Sequence, residues 1–425
     1  MPNEFFVIEG GNRLHGDLRI CGAKNAALPA MAASLLCADD VIIENIPEIE
    51  DVAIMGQVLA TLGATSEWIG NGRLRLNARS IHSFTAPSEL IIRNRASFMV
   101  MGPLLSRFGE AAACPPGGDI IGQRPIDVHL MGFAALGAEI SRQREKYIAK
   151  ADRLTGCKIF MDYPSHIGTE NLLMAATLAR GTTVIKNASP EPEVVDLAMM
   201  LNKMGARISG AGTNTIIIEG VEELHGTTHR IIPDRLEAGT FAIAAAITDG
   251  EVHLQDVECA HMDSLIWKLA EAKVDVKPGD NEMTVRGTGR LEPVNVQALP
   301  YPGFATDLQA AFGVLLTRAN GVSVIHERVY DSRLLYVSEL RKMGARIEVS
   351  GQTAVIIGPT HLHGTMVRAL DIRSGAALAL AGLAASGTTE IADIYHLDRG
   401  YQRIEEKLRS LGAKMERVTS SVPPR

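Results

Sequence analysis

The sequence predicts an α/β protein of two pseudo-equivalent domains, each built from three repeated units with helices inside and sheets outside. Three observations carry that expectation. A short signature, an apolar helical run ending in Gly-Ala and followed by an alternating strand, recurs along the chain. The 425 residues exceed what one hydrophobic core usually serves. The composition is 46% hydrophobic but only 4% aromatic, with 40 glycines, which suits small-residue helices packed closely against sheets.

The signature stands at Leu62-Gly63-Ala64, Leu136-Gly137-Ala138, Met204-Gly205-Ala206, Met343-Gly344-Ala345 and Leu411-Gly412-Ala413, with a degenerate copy at Ala272-Lys273-Val274. Successive copies lie 68 to 74 residues apart, so six units account for the chain. A fixed period of this kind marks a repeated supersecondary unit. Each unit opens with a small-residue helix, expected at 26–36, 97–106, 169–179, 237–248, 307–317 and 375–385. These helices are apolar on most faces, so they belong in the interior. A glycine-bounded turn and a β-branched strand follow, as at 181–185. A second, amphipathic helix comes next, as at 194–204 or 401–411, with apolar residues at i, i+3, i+4 and i+7. The Gly of Gly-Ala then provides the left-handed backbone that ends a helix, and the next strand alternates, as at 346–349. Lys273-Val274 in place of Gly-Ala touches only a helix end.

Composition excludes several functions. The formal charge is −7, from 42 basic and 49 acidic residues, which disfavours binding nucleic acid over a broad surface. The five cysteines, Cys21, Cys37, Cys114, Cys157 and Cys259, are odd in number and form no CxxC pair. They predict neither a disulfide framework nor a zinc site, and reduced thiols fit a cytoplasmic location. The start, 1–11, lacks the basic and apolar regions of a secretory signal, and no stretch of about 18 apolar residues predicts a membrane span. His361-x-His363 on an expected strand is too little for a metal site, and no cofactor is expected.

Polar groups gather at the starts of the small-residue helices: Lys24-Asn25, Arg93 and Arg95, Thr169-Glu170-Asn171, Asp234-Arg235 with Glu237, Thr306-Asp307, and Asp371 with Arg373. A helix N-terminus offers free N–H groups and partial positive charge, so such ends are ready anion sites. Each residue also has a plainer reading. Thr306-Asp-Leu-Gln309 matches a capping box, as does Asp234 with Glu237; Lys24 could be a solvated lysine and Arg95 a surface charge. The combination is what points to a multiply charged substrate. A second feature is Cys114-Pro-Pro-Gly-Gly-Asp119-Ile-Ile-Gly-Gln-Arg124-Pro125. Its prolines and glycines predict a mobile loop, with Pro125 placed to open the helix that leads to Leu136. It reads either as a connection with incidental charge or as a lid that carries Asp119 and Arg124 onto a bound anion.

At these residues the sequence resembles the UDP-N-acetylglucosamine enolpyruvyl transferase (MurA) family. The resemblance rests on Gly22-Ala-Lys24-Asn25-Ala-Ala-Leu-Pro29, Arg95-Ala-Ser97, the Gly-rich loop through Arg124-Pro125, Thr306-Asp307-Leu-Gln, Asp371-Ile-Arg373 and Tyr395-His-Leu-Asp398-Arg399-Gly400-Tyr401, in the family's order and over nearly the whole chain. It implies two inside-out α/β barrel domains, 22–230 carrying the 114–124 loop and 1–21 plus 231–425. It implies phosphoenolpyruvate and UDP-N-acetylglucosamine as substrates in the first committed step of peptidoglycan synthesis. By that resemblance Lys24, Arg124 and Arg399 would hold the phosphate and carboxylate of phosphoenolpyruvate, supported by Arg333 and Arg373. Asn25 would reach the sugar hydroxyl region. Arg95, Pro125, Ile126, Asp127, Val128, Ser165, Asp307, Val329 and Asp371 would line the rest of the substrate site, with Asp307 taking the proton of the attacking 3-hydroxyl. Addition needs an acid at the methylene carbon and a base at the hydroxyl, and arginines suit the oxyanions because their forks donate bidentately.

Two departures from the family pattern bear on function. Tyr163-Pro-Ser165-His166-Ile167-Gly168 replaces a segment that faces the nucleotide in the family, which leaves other acceptors open: another nucleotide, shikimate 3-phosphate, or a non-catalytic regulatory role. The loop acid, usually a cysteine, is Asp119. Aspartate can donate a proton once burial raises its pKa, but it offers no thiolate. Fosfomycin, which alkylates the family's cysteine, is therefore expected to leave no covalent adduct on this chain. Intact-mass spectrometry after incubation tests this, and a time-dependent adduct of fosfomycin mass would refute it.

Overall fold

The computed structural model describes residues 3–117, 121–122 and 126–420. The repeat expected from the sequence is present, and its signature has a physical cause. Outer helices Glu50–Leu62, Asp127–Ala135, Pro192–Lys203, Val337–Lys342 and Ile404–Ser410 run toward Gly63, Gly137, Gly205, Gly344 and Gly412, which take φ values of 106°, 97°, 105°, 94° and 97°. The next residue then donates its N–H back into the last helical turn, as from Ala64 to Leu59 (3.0 Å), Ala206 to Leu201 (3.0 Å) and Ala413 to Leu408 (3.0 Å). This bond satisfies a carbonyl that the helix end leaves orphaned. The Ala of the signature is buried in every copy, so Gly is needed for backbone hand and Ala for the space behind it.

The degenerate copy makes the same stop. Helix Asp263–Glu271 ends at Lys273 with φ 68°, and Val274 donates to Leu269 at 2.9 Å. A lysine is thus held in the left-handed region, which costs a residue with a Cβ about 1–2 kcal/mol. One boundary differs from expectation. The helix expected over 401–411 begins only at Ile404, because Tyr395–Asp398 forms its own short helix and Arg403 turns left-handed at φ 46°.

The inner helices are Lys24–Ala33, Met101–Phe108 with the 3-10 turn Arg95–Val100 before it, His166–Ala176, Arg235–Ile247, Thr306–Leu316 and Ile372–Ala384. Nearly every residue of the last four is buried, as their all-round apolar sequences require. Close packing needs small residues at the crossings. A Cβ on Gly239 would fall 2.7 Å from Leu308 Cδ1, and one on Gly102 would fall 2.4 Å from the Asn171 carbonyl oxygen. Fully buried side chains such as Phe312 and Leu315 contribute roughly 1.5–3 kcal/mol each.

The sheets share one plan: a parallel edge strand, a central strand, then two antiparallel neighbours. In one, Val296–Ala298 lies parallel to Val322–Glu327, which pairs antiparallel with Thr353–Ile357 and through it with Ile347–Ser350. The sheet of Glu110–Ala113 has three strands, and only an isolated parallel bridge, Thr85 to Ala112, stands where its fourth would be. The N-terminal strand Asn3–Glu9 fills a place in the last sheet, between Thr388–Ala392 and Lys414–Ser420.

The described residues divide into two compact units, one made of 3–21, 121–122 and 233–420, the other of 22–117 and 126–232. In the first, helices Arg235–Ile247, Thr306–Leu316 and Ile372–Ala384 pack against one another. In the second, Lys24–Ala33, Arg95–Val100, Met101–Phe108 and His166–Ala176 make the equivalent cluster. Three sheets belong to each unit, so helices lie inside and sheets outside, an inside-out α/β arrangement.

Replacing Lys273 with Gly is expected to stabilise the protein by about 0.5–1 kcal/mol, raising its Tm by about 1–3 °C. Differential scanning calorimetry checks this; an unchanged or lower Tm would show that the left-handed lysine is not strained.

Candidate active site

In the unit of 3–21 and 233–420, the chemistry centres on Asp307 in the first turn of Thr306–Leu316. Arg333 Nη2 donates to its Oδ1 at 3.0 Å and Arg373 Nε donates to its Oδ2 at 3.0 Å. Both arginine side chains are almost wholly buried, whereas the carboxylate is 25% exposed. Burial opposes the charge of Arg333, but Asp307 and Asp371 outweigh it, and its pKa is raised. Asp307 is thus gripped on both oxygens and keeps an open edge.

Arg373 is placed from several directions. Asp371 accepts from the backbone N–H groups of Arg373 (2.8 Å) and Ser374 (3.0 Å), and Ser374 Oγ accepts from Asp371 N–H (2.9 Å), a complete capping box. The guanidinium lies over the Tyr401 ring at 5.2 Å, and the Tyr401 hydroxyl meets Thr240 Oγ1 at 2.9 Å. Tyr401 belongs to the motif that carries the resemblance, but its contact with Arg373 is not readable from local sequence. Arg399 is buried just after the short helix Tyr395–Asp398. Its neighbour Gly400 approaches Ile372 so closely that a Cβ there would fall 2.5 Å from Ile372 Cγ2. That brings the Arg399 backbone against the Asp371-Ile-Arg373 motif.

Two capping readings are corrected. Thr306 is not an N-cap: Ala305 holds that position without a side-chain bond, and the Thr306 hydroxyl donates instead to Glu327 at 2.7 Å. Asp234 does cap Arg235–Ile247, accepting from Leu236 and Glu237, yet Glu237 does not reach back. Its carboxylate takes Lys407 Nζ at 2.6 Å and the Cys21 N–H at 2.8 Å, since a buried acid needs a cation more than a capping box needs a second bond.

In the unit of 22–117 and 126–232, Lys24 is the first residue of its helix and pairs with Asp51 at 2.7 Å, the two side chains 12% and 1% exposed. It is therefore not a solvated lysine. Asn25 follows it, half-buried. Asn94 ties two pieces together: its amide donates to the Asp51 carbonyl at 3.2 Å and its oxygen accepts from Ala96 N–H at 3.0 Å, capping the turn that Arg95 begins. Asp51 and Asn94 were not foreseen. In sequence, Asp51 reads only as a favourable first-turn acid. Arg95 is half-buried beside His129, a buried imidazole whose pKa is pushed down to about 3 by burial and by that arginine. Asn171 Nδ2 meets His129 Nδ1 at 2.9 Å and Asn171 Oδ1 accepts from Gly102 N–H at 2.7 Å, so Asn171 ties two inner helices together and the neutral ring of His129 holds its amide.

Ile126 precedes helix Asp127–Ala135, and Asp127 lies in its first turn. Val128 and Ser165 meet at Gly168, where a Cβ would fall 2.8 Å from Val128 Cγ1 and 2.9 Å from Ser165 Oγ. Ser165 caps His166–Ala176 by accepting from Gly168 N–H at 3.1 Å. Val329 lies in the other unit, and its N–H donates to Glu327 at 2.7 Å. Asp119, Arg124 and Pro125, including the lid and the helix-opening proline, lie outside the described residues.

One contrast runs through these helix starts. Asn94, Ser165, Asp234 and Asp371 cap theirs with side chains, whereas the helices of Lys24 and of Thr306-Asp307 begin after Ala23 and Ala305 with no side-chain cap. First-turn N–H groups without a side-chain acceptor are what an anion can use.

An α/β pair of three-helix units with acidic and basic helix starts is the architecture of the enolpyruvyl transferases, and the comparisons agree. The chain belongs to the EPSP synthase (3-phosphoshikimate 1-carboxyvinyltransferase) family, which it matches over residues 8–408. Within that family it is similar to proteins named for a different acceptor. It is 52% identical over 412 residues to UDP-N-acetylglucosamine 1-carboxyvinyltransferase 1 of Caldanaerobacter subterraneus, covering 97% of this chain and 99% of that one. The enzyme of the same name from Staphylococcus epidermidis is 48% identical over 97% and 99% of the two chains. Among solved structures, the enolpyruvyl transferase NikO from Streptomyces tendae superposes with a TM-score of 0.89 at 28% identity, over 99% of this chain and 100% of that one. EPSP synthase from Acinetobacter baumannii, 19% identical with a TM-score of 0.77 over 98% and 100%, shares the fold.

His166, in the segment that departs from the family pattern, meets Glu170 at 3.1 Å. Burial alone would lower its pKa, but Glu170, Glu191 and Glu193 outweigh burial and raise it to about 10, above the ~6.5 of an unfolded histidine. A raised value means that this stabilisation is complete below about pH 6.5 and is lost as pH rises through about 10. The stability difference between wild type and His166→Gln, measured by urea unfolding at about pH 6, 8 and 10, is therefore expected to shrink as pH rises. A difference that holds constant or grows would exclude the ion pair.

Proposed function

We propose that this chain transfers the enolpyruvyl group of phosphoenolpyruvate to the 3-hydroxyl of UDP-N-acetylglucosamine by addition–elimination, releasing phosphate. The observation that carries the reading is Asp307, a part-exposed carboxylate at the start of a helix without a side-chain cap, held on both oxygens by Arg333 and Arg373. The relatives at 46–52% identity that bear the acceptor in their names support it.

In this reading the 3-hydroxyl attacks C2 of phosphoenolpyruvate while its proton passes to Asp307 and an acid delivers a proton to C3. The tetrahedral intermediate then loses a C3 proton and expels phosphate. Asp119 is the acid, on the sequence argument that the family's loop acid stands there. Lys24, Arg124 and Arg399 hold the phosphate and carboxylate, with Arg333 and Arg373 in support. The helix of Lys24 adds first-turn N–H groups where negative charge builds. Asn25, Arg95, Pro125 to Val128, Ser165, Val329 and Asp371 contribute to acceptor binding, and the 114–124 segment, part of the 22–230 domain, is the lid. The pairing of Lys24 with Asp51 supports this, since a lysine held by a buried acid is already positioned when substrate arrives. The five free cysteines support a cytoplasmic location for this reaction; among the described residues no helix is long and apolar enough to cross a membrane.

Inorganic phosphate release from phosphoenolpyruvate is expected only when UDP-N-acetylglucosamine is present, and Asp119→Ala is expected to lower it by about a hundredfold or more. Release that survives in the variant would move the acid elsewhere. No release from the wild type would overturn the acceptor, and shikimate 3-phosphate would be the next to try.

A further inference from the structure

Glu327 ends strand Val322–Glu327 and is wholly buried. All three hydrogen bonds to its carboxylate come from the acceptor side of the site described above. Oε2 accepts the Thr306 hydroxyl at 2.7 Å, and Oε1 accepts the backbone N–H groups of Val329 at 2.7 Å and Tyr330 at 3.2 Å. One carboxylate therefore ties the start of helix Thr306–Leu316 to the segment after its own strand.

Those two pieces carry the two halves of the central ion pair. Thr306 precedes Asp307 in the chain. Tyr330 lies three residues before Arg333, and its ring sits 5.6 Å from the Arg333 guanidinium. The end of the arginine segment is pinned as well, for the Tyr336 hydroxyl donates to Gln309 Oε1 on the same helix at 2.8 Å. Glu327 and Tyr336 thus bracket Arg333 and lock it in register with Asp307. A fully buried carboxylate is costly unless its lone pairs are satisfied. Here the donors are one hydroxyl and two backbone N–H groups, and the charge of Glu327 also helps to raise the pKa of the buried Arg333.

We propose that Glu327 is a positioning residue for the acceptor site: it fixes Asp307 through Thr306, and Val329 and Arg333 through the 328–332 segment, so that the base and the acceptor wall move as one piece. It touches no reacting atom. The inference rests on the acceptor reading above, and it deepens that reading by naming a residue that sets acceptor affinity more strongly than phosphoenolpyruvate affinity. Tyr401 holds Arg373 from the other side, so loss of Glu327 leaves one of the two arginine grips on Asp307 in place.

The test compares Glu327→Ala, Glu327→Gln and Thr306→Ala with the wild type. Steady-state kinetics is followed by phosphate release, and amide hydrogen exchange is read over 304–310 and 327–334. In Glu327→Ala, KM for UDP-N-acetylglucosamine should rise about tenfold or more and kcat should fall about tenfold to a hundredfold, while KM for phosphoenolpyruvate, which Arg333 supports only in part, should rise several-fold less. Exchange should quicken in both segments and nowhere else in that unit. Glu327→Gln keeps an oxygen for the two N–H groups and an amide for Thr306 Oγ1, so it should recover to within about fivefold of wild type. Should Glu327→Ala fail to fold, Thr306→Ala, which keeps the carboxylate and its two backbone bonds, should still show a smaller rise in acceptor KM alone. Equal rises in both KM values, an acceptor KM unchanged in Glu327→Ala, or Gln no better than Ala would overturn the proposal. A wild type that releases no phosphate would refute the acceptor reading instead, and hydrogen exchange then decides whether Glu327 couples the two segments: quickening confined to one of them overturns it.

Discussion

The constraint on which this molecule turns is the burial of its inner helices on every face. A helix surrounded by other helices and by sheets has no side on which to carry a charge without a partner. Only its ends can meet water or ligand. The sequence obeys that constraint: the stretches 372–383 and 236–247 are buried throughout, and polar chemistry collects at the residues that open them. The helix N-terminus is also where backbone N–H groups lack intrahelical acceptors. Burial therefore fixes both where charged side chains can stand and which sign of ligand the backbone around them favours.

Charges at such ends must be paired, and magnitudes separate the pairs that matter. An exposed bridge such as Arg75 with Glu67 contributes at most about 1 kcal/mol. Lys24 with Asp51 and Lys407 with Glu237 are largely shielded from water, and both arginines on the part-exposed Asp307 are buried. Removing one partner from a buried pair leaves an uncompensated charge, at about 3–5 kcal/mol. Such pairs are weak evidence of net stabilisation, because desolvation offsets most of their attraction. Their value is geometric. A carboxylate held on both oxygens and a lysine held by an acid do not have to be ordered when substrate binds.

How much of this was legible in the sequence follows from distance along the chain. The Gly-Ala signature is local: a left-handed glycine and a buried small residue after a helix are properties of adjacent positions, so the repeat, the six units and the inner helices could be read directly. Lys273 shows the limit, because the fold imposes the left-handed turn there against the residue's preference. The candidate site was legible as residue types at helix starts, and the motifs naming Lys24, Asp307, Asp371 and Arg373 needed only local sequence. Their partners are not local. Arg373 reaches Asp307 across 66 positions, and Tyr401 reaches Thr240 across 161. The misread capping box at Thr306 has the same origin: the local pattern fits a cap, but Glu327, 21 residues on, is a better acceptor for that hydroxyl than the helix's own N–H groups are donors to it.

The two units share a fold but not a chemistry, and the capping pattern shows how one scaffold was divided. A side-chain cap stabilises a helix start by about 1 kcal/mol. Four inner-helix starts carry such a cap, and two do not. Those two stand one in each unit, and they bear Lys24 in one and Asp307 in the other. An alanine at an N-cap gives up that stabilisation, although Ala23 lies in one core and Ala305 packs against the other. The forgone bond has a use only if something else takes the exposed N–H groups. At Lys24 the lysine adds positive charge to the same end, the combination that favours a bound anion. At Asp307 the carboxylate sits in its own first turn, and arginines from two other segments hold it in place. A lysine paired with an acid therefore opens the helix without a side-chain cap in one unit, and a carboxylate paired with two arginines follows the first residue of the corresponding helix in the other.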